Sequence, residues 1–190
     1  MLRKEKILVV NPYGIGDLLF ATPLLSAIKK NNPSSELHVL IGSRTKEILS
    51  HNKDVDNIVV DDRDFWRGKK NGGLRRLLHV RRLRRYKYDT FINLSLDTQY
   101  NFFATYLWHI PRRIGFDFKR RGKFLTQKIS LPHGFYKKHV ARYYLEILAQ
   151  WKEGVVLPSV SSYSFKLSNN EFQTDISHFF KNTPSMDGSS

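Results

Sequence analysis

Apolar positions in this 190-residue chain fall in short runs separated by longer stretches with a helical rhythm. The runs predict strands over 6–10, 36–41, 57–60, 89–94 and 113–116. The first, with Ile7, Leu8, Val9 and Val10 in a row, reads as a strand covered on both faces. Between the runs, helices are predicted near 18–30, 44–51, 74–85 and 100–109. Strand and helix alternating at this spacing define an α/β fold with a doubly wound parallel sheet, the first strand central. In helix 18–30 the apolar arc takes in Phe20, Leu24, Leu25, Ala27 and Ile28, opposite Thr22, Ser26, Lys29 and Lys30. Pro23 predicts either a kink or a restart capped by Thr22. A further helix, 137–151, has a broad apolar face. Beyond it, 154–170 reads as a linker or edge strand, 171–180 as one short helix, and 182–190 as a polar, frayed end. There is no internal repeat.

The most informative local feature is Gly14-Ile15-Gly16-Asp17, between the first strand and its helix. This is the carboxyl end of a strand, where open α/β sheets bind ligands. A dinucleotide corner presents glycines and bare N–H groups to a pyrophosphate. Here a carboxylate takes that place, and Leu19 stands where the third glycine of the fingerprint belongs. The corner therefore suits holding or deprotonating a neutral group. Asp17 is the leading candidate, although Asp at a helix start is equally explained as a cap. Gly14 and Gly16 are read as giving backbone approach and positive φ.

Charge sharpens the picture because it is local. The net of +15 is carried by two segments: 63–87 has eleven Lys/Arg against one Asp, a net of +10, and 112–123 has a net of +5. The rest of the chain is neutral, so a dedicated anionic partner is expected. The segment 63–73 has the loop composition of a binding element, with Arg63, Arg67, Lys69 and Lys70 as anion-contacting candidates. In 74–85 the apolar Leu74, Leu77, Val80, Leu83 and Tyr86 recur at strict threes, so the arginines between them point in several directions. A helix of this kind can rest on anionic headgroups, at about 1 kcal/mol per basic residue, and peripheral membrane contact through 75–85 is expected. Asp97 and Thr98, after the fourth strand, are candidates to line the same cleft, although turn chemistry explains them as well. The seven histidines form no ligand pattern, and no metal is expected; His139 reads as a packed or capping histidine. With no cysteine there is no disulfide or thiolate metal site. No run approaches a membrane span, and the N-terminus leads straight into a strand. A cytoplasmic chain is the economical reading.

The stretch Val9-Val-Asn-Pro-Tyr-Gly-Ile-Gly-Asp-Leu-Leu-Phe-Ala-Thr-Pro23 closely resembles the opening of glycosyltransferase family 9, the lipopolysaccharide heptosyltransferases. Collinear support comes from the residues 33–41, Asn52-Lys-Asp-Val-Asp56, Tyr88-Asp-Thr-Phe-Ile-Asn-Leu94, Arg113-Ile-Gly-Phe116 and 138–148. The resemblance covers about the whole chain but the family's first half alone. It implies the N-terminal acceptor-binding lobe of a two-lobe GT-B enzyme, over 1–153. Residues 154–190 would then lead toward an absent nucleotide-sugar lobe. It implies inverting transfer of a sugar from a nucleotide sugar to a lipopolysaccharide-core-like acceptor, with Asp17 as general base and no metal or other cofactor. It implies an anionic, lipid-linked glycan as partner, contacted by the 63–73 segment, at the inner face of the cytoplasmic membrane. Nucleotide sugar would bind only with a second lobe.

Two other classes stay in view. One is a noncatalytic acceptor-binding remnant, or half of a split enzyme. The other is a basic nucleic-acid-binding domain, kept open by charge and by nine Tyr and thirteen Phe. It ranks below the rest because the aromatics fall at core-like positions and no RNA-binding strand signature is present, so nucleic acid is not an expected partner.

Overall fold

A computed structural model describes residues 3–152, 154–155, 164–165 and 174–175. Six strands form one wholly parallel sheet: β1 (Lys6–Asn11), β2 (Glu36–Ile41), β3 (Asn57–Val60), β4 (Thr90–Asn93), β5 (Arg112–Asp117) and β6 (Gln127–Ser130), in the order β3-β2-β1-β4-β5-β6. The strand order reverses at β1, which is central and hydrogen-bonded to both β2 and β4. That junction is the topological switch point of a doubly wound fold.

The all-apolar run of β1 is explained by its two neighbours in depth. Ile7 and Val9 pack with α1 (Ile15–Asn31) and the last helix of the sheet domain (Val140–Trp151). Leu8 and Val10 face a second layer on the opposite side. All four are fully buried, at about 1.5–3 kcal/mol of transfer free energy each. A short helix at the β2–β3 crossover, α2 (Lys46–Leu49), buries Leu49 on the α1 side. The second layer contains α3 (Arg63–Arg67) and α4 (Gly72–Arg81), then α5 (Thr98–Phe102), which runs into a π-helical turn at Phe103–Leu107. The Val140–Trp151 helix is α6. Of these, α4 and α5 supply the buried side chains that meet Leu8 and Val10.

Several local expectations change. Pro23 neither restarts nor ends α1, which is continuous through it. The ring removes the N–H that Leu19 C=O would accept, and the Thr22 hydroxyl donates to that carbonyl instead at 2.8 Å. The strict threes of 74–86 also have an explanation: α4 stops at Arg81 and the chain continues as a 3₁₀ turn over Arg82–Tyr86. Three residues per turn keep Val80 and Leu83 on one inward side. The 63–73 segment is not a loop throughout, because Asp62 caps α3 by accepting from Phe65 N–H at 3.0 Å. The edge strand β6 has no counterpart in the pattern. His139 caps α6, accepting from Ala141 N–H, and packs edge-on against Phe20.

Where a short helix was expected over 171–180, Thr174–Asp175 pairs antiparallel with Ser164–Phe165, within the stretch read as linker or edge strand. The remainder of 171–180 and the polar 182–190 lie outside the described residues. Among the described residues no helix is long and apolar enough to cross a membrane.

Candidate functional site

Gly14 is the N-cap of α1, and Asp17 is the third residue of the helix rather than its cap. Gly14 adopts φ −73°, and neither it nor Gly16 has positive φ, so left-handed backbone is not the reason for these glycines. A Cβ on either would meet nothing within 4 Å. The corner is open, and what a side chain there would occupy is space beside the helix start. The half-buried Asp17 carboxylate makes no hydrogen bond or ion pair among the described residues. Its backbone carbonyl is held by Asn11 Nδ2 at 3.0 Å, from the last residue of β1. Tyr144 of α6 lies within its field: burial first, then the charge of Asp17, pushes the phenol's pKa up.

Beside this corner, the loops after β1, β2 and β3 enclose a cleft of about 360 Å³. Its wall takes Tyr13, Gly14, Ser43 and Arg44, then Asp61 through Asp64 and Arg67. Asp17 is outside that wall, one helical turn beyond Gly14. The cleft's charges are locally fixed. Arg63 pairs with Asp97 at 2.9 Å, Arg44 with Asp64 at 3.3 Å, and Arg67 with Asp64 at 3.6 Å. The two pairs with Asp64 are well exposed and contribute little to stability. Asp62 accepts from Ser43 Oγ at 2.6 Å and from Phe65 N–H, and these bonds hold its pKa below the usual carboxylate value.

Asp61 is the anchor. Its side chain is fully buried and receives Arg76 Nε at 2.9 and 3.0 Å, Arg76 Nη2 at 2.6 Å, and Tyr100 Oη at 3.0 Å. Arg76 continues to Gln99 Oε1 at 2.6 Å and lies over the rings of Tyr100 and Phe103. Burial pulls its pKa down, but Asp61 outweighs this and raises it. This chain of contacts ties β3, α4 and α5 together beneath the cleft.

The other predicted residues spread out. Asp97 caps α5 through Gln99 N–H and reaches the cleft through its ion pair with Arg63. Thr98 donates to Arg121 C=O at 3.0 Å. Lys69 lies over the Phe65 ring in a separate groove between α3 and α4, and Lys70 is exposed. Sequence reasoning missed Arg44, Asp61 and Tyr13, whose hydroxyl accepts from Leu96 N–H at 3.1 Å and so links the loops after β1 and β4. It counted Arg76 among the membrane-facing arginines of 75–85, whereas Arg76 is turned inward onto Asp61, away from any headgroup. It also missed the buried amides Asn11 and Asn93 at the strand ends. Asn93 bonds Asp97 C=O, Asn101 and Ser95, whereas Asn11 Oδ1 has no partner among the described residues. The signal was present: a polar residue ending an apolar strand, at Asn11, Asp61 and Asn93. Among the described residues no three His, Asp or Glu converge as a metal site.

The sheet order defines a Rossmann-like lobe of the kind found in GT-B glycosyltransferases. The match extends to particular solved structures. The fold is similar to heptosyltransferase WaaC of Escherichia coli, solved with ADP-2-deoxy-2-fluoro heptose, at TM-score 0.68 and 18% identity over 95% of this chain and 55% of that one. It is similar to a glycosyltransferase family 9 protein of Veillonella parvula, at TM-score 0.66 and 22% identity over 87% of this chain and 46% of that one. It is also similar to the E. coli ADP-heptose lipopolysaccharide heptosyltransferase II, at TM-score 0.63 and 20% identity over 95% and 51%. In sequence, the chain is 33% identical over 81 residues to lipopolysaccharide heptosyltransferase 3 of E. coli, covering 42% of this chain and 23% of that protein. No family model matches the chain. It thus spans about half the length of these solved structures and about a quarter of the curated relative.

Proposed function

We propose that this chain is the acceptor lobe of an inverting glycosyltransferase of heptosyltransferase type, with Asp17 as general base. The observation that carries the reading is the state of Asp17. It sits at the carboxyl end of the central strand, beside two glycines whose Cβ positions are open, with a carboxylate engaged by no hydrogen bond or ion pair among the described residues. The other acids at this edge are occupied: Asp61 by Arg76, Asp62 by a cap, Asp64 and Asp97 by arginines. A carboxylate without a partner, within reach of an acceptor hydroxyl, can take its proton. The acceptor oxygen then forms a bond to the anomeric carbon of a nucleotide sugar as the bond to the diphosphate breaks. The proton ends on Asp17, and the nucleoside diphosphate leaves from the second lobe, without a metal in this reading. The mixed cleft of arginines and carboxylates suits a hydroxyl-rich, anionic glycan, which in this reading is the lipid-linked core acceptor at the inner face of the cytoplasmic membrane.

The test is Asp17→Asn and Asp17→Ala in a protein joining this chain to a nucleotide-sugar lobe. Both should lose transfer by about 10²–10⁴. Asp17 accepts no cap bond but lies in the first turn of α1, so both should lose no more than about 0.3–1 kcal/mol of stability, the contribution of an acid near the helix N-terminus. Turnover in the Asn form close to the parent's would remove the base assignment. Titration of the isolated chain with nucleotide sugar separates the readings: a lone acceptor lobe should not bind it, whereas micromolar binding would require a one-lobe enzyme.

A further inference from the structure

The fold gathers onto one surface features that are far apart in the chain. Among the described residues eight large hydrophobic side chains are strongly exposed, and five of them lie on the α3–α4–α5 layer: Phe65 (52%), Leu74 (58%), Leu78 (53%), Phe102 (43%) and Tyr106 (54%). They are not scattered. The Phe102 and Tyr106 rings meet tilted, with centroids 4.9 Å apart, and both meet Phe124 edge-on, just after the second basic segment. Phe65 and Leu78 line a groove of about 520 Å³ together with Trp66, Lys69, Arg75 and Arg82. α4 is tied to the start of α5 by Arg76 to Gln99, and to the end of the π-helical turn by Trp108 Nε1 donating to Val80 C=O at 2.8 Å.

The first basic segment lies on this surface, and the backbone of the second meets its edge, while the Lys119 and Arg121 side chains lie over the Phe118 ring. The loop containing Lys119, Arg120 and Arg121 is held to α5, since Arg121 C=O accepts from Thr98 and Asn101. Among the described residues, none of Lys69, Lys70, Arg75, Arg81, Arg82, Arg84, Arg85 or Lys87 has a carboxylate within salt-bridge distance, nor have Lys119, Arg120, Arg121 or Lys123. The acids in both segments are committed elsewhere: Asp64 to Arg44 and Arg67, and Asp117 to Gly122 N–H.

We infer that the outer face of α3, α4 and α5 is a docking surface for an anionic lipid bilayer, lying flat with its apolar side chains among the acyl chains. Unpaired cations match anionic headgroups, and leucines and aromatics exposed between them match the apolar layer beneath. α3 is shared between this surface and the cleft: Arg63, Asp64 and Arg67 line the cleft, while Phe65 and Trp66 line the groove. Docking therefore holds the mouth of the cleft at headgroup height, approached from the side. The inference stands on this surface, not on the transfer chemistry, and its test contains neither donor nor acceptor sugar.

The test is co-sedimentation of the full chain with vesicles of phosphatidylcholine containing 30% phosphatidylglycerol, against pure phosphatidylcholine, at two salt concentrations. Binding is expected to the anionic vesicles and to weaken with salt. At about 1 kcal/mol per cation, each lost charge is worth about fivefold, so Arg75→Glu with Arg82→Glu should weaken binding about 30-fold or more. Leu74→Ser with Leu78→Ser, and separately Phe102→Ser with Tyr106→Ser, should each weaken it roughly tenfold while melting stays that of the parent. These apolar pairs lie on different helices, so a folding defect in one leaves the other informative. Absence of binding to anionic vesicles overturns the inference. So does binding that ignores both apolar pairs, because simple adsorption of a cation needs no leucine. Tight binding of a DNA duplex, unaffected by the same pairs, would reassign the face to nucleic acid and overturn it equally.

Discussion

Arg76→Met tests whether the buried ion pair organises the cleft. The substitution keeps most of the volume over the Tyr100 and Phe103 rings but withdraws three short contacts to Asp61, at 2.6, 2.9 and 3.0 Å. Asp61 is fully buried, Arg76 is about 11% exposed, and the Tyr100 hydroxyl is the one remaining side-chain donor to Asp61 among the described residues. Removing one partner of a buried pair leaves an uncompensated charge, at about 3–5 kcal/mol. That is a large share of a typical 5–15 kcal/mol total. At roughly 2–4 °C per kcal/mol for a chain of this size, the melting temperature should fall by about 6–20 °C. The double variant Asp61→Leu with Arg76→Met removes the stranded charge and should recover more than half of the loss. Urea and thermal denaturation of the parent, the two singles and the double give the coupling energy directly. An Arg76→Met protein within about 1 kcal/mol of the parent would show that water reaches Asp61 and that the pair does not anchor the cleft.

Two further outcomes follow from particular contacts. His38, between Tyr88 Oη and Glu36 Oε1 at 2.8 Å each, has its pKa lowered from 6.5, chiefly by burial. The unfolded state then binds the proton more readily, so stability should fall as pH drops below 6.5. Equilibrium denaturation at stepped pH should show that slope reduced in His38→Gln; an unchanged slope would place its origin elsewhere. At the α3–α4 junction, a Cβ on Gly72 would fall 1.7 Å from Trp66 C=O, whereas one on Gly73 meets nothing within 4 Å. Gly72→Ala should therefore destabilise by more than about 2 kcal/mol, as for a steric conflict with fixed backbone. Gly73→Ala should stabilise the helix by about 0.5–1 kcal/mol. Equal melting of the two would contradict the packing at this junction.

The strands that carry the fold were readable because burial on both faces demands continuous apolar residues, as in Ile7–Val10. β6 was not, because Gln127-Lys-Ile-Ser130 is an edge strand whose alternate residues face solvent. Helix α3 was missed because its five residues bury nothing; Asp62 was the one available sign. Position at the sheet edge was legible for Asp17 and Gly14, but conformation was not. A glycine kept for open space and a glycine kept for positive φ are the same letter. The Asp61–Arg76 pair joins residues fifteen apart through a turn and a helix junction, and no periodicity encodes that meeting.

The placement of β1 between β2 and β4 has a consequence for the order in which the chain matures. β2 follows β1 after a single helix, but the partner for β1's other edge, Thr90–Asn93, arrives more than eighty residues after Ile7. During synthesis the Ile7–Val10 edge is consequently presented bare while the chain in between is made, and a bare apolar edge is a template for pairing with neighbouring chains. What emerges in that interval is the segment 63–87, with its net of +10. Like charges on nascent chains repel, so the same arginines act as a gatekeeper for the strand until β4 closes the sheet.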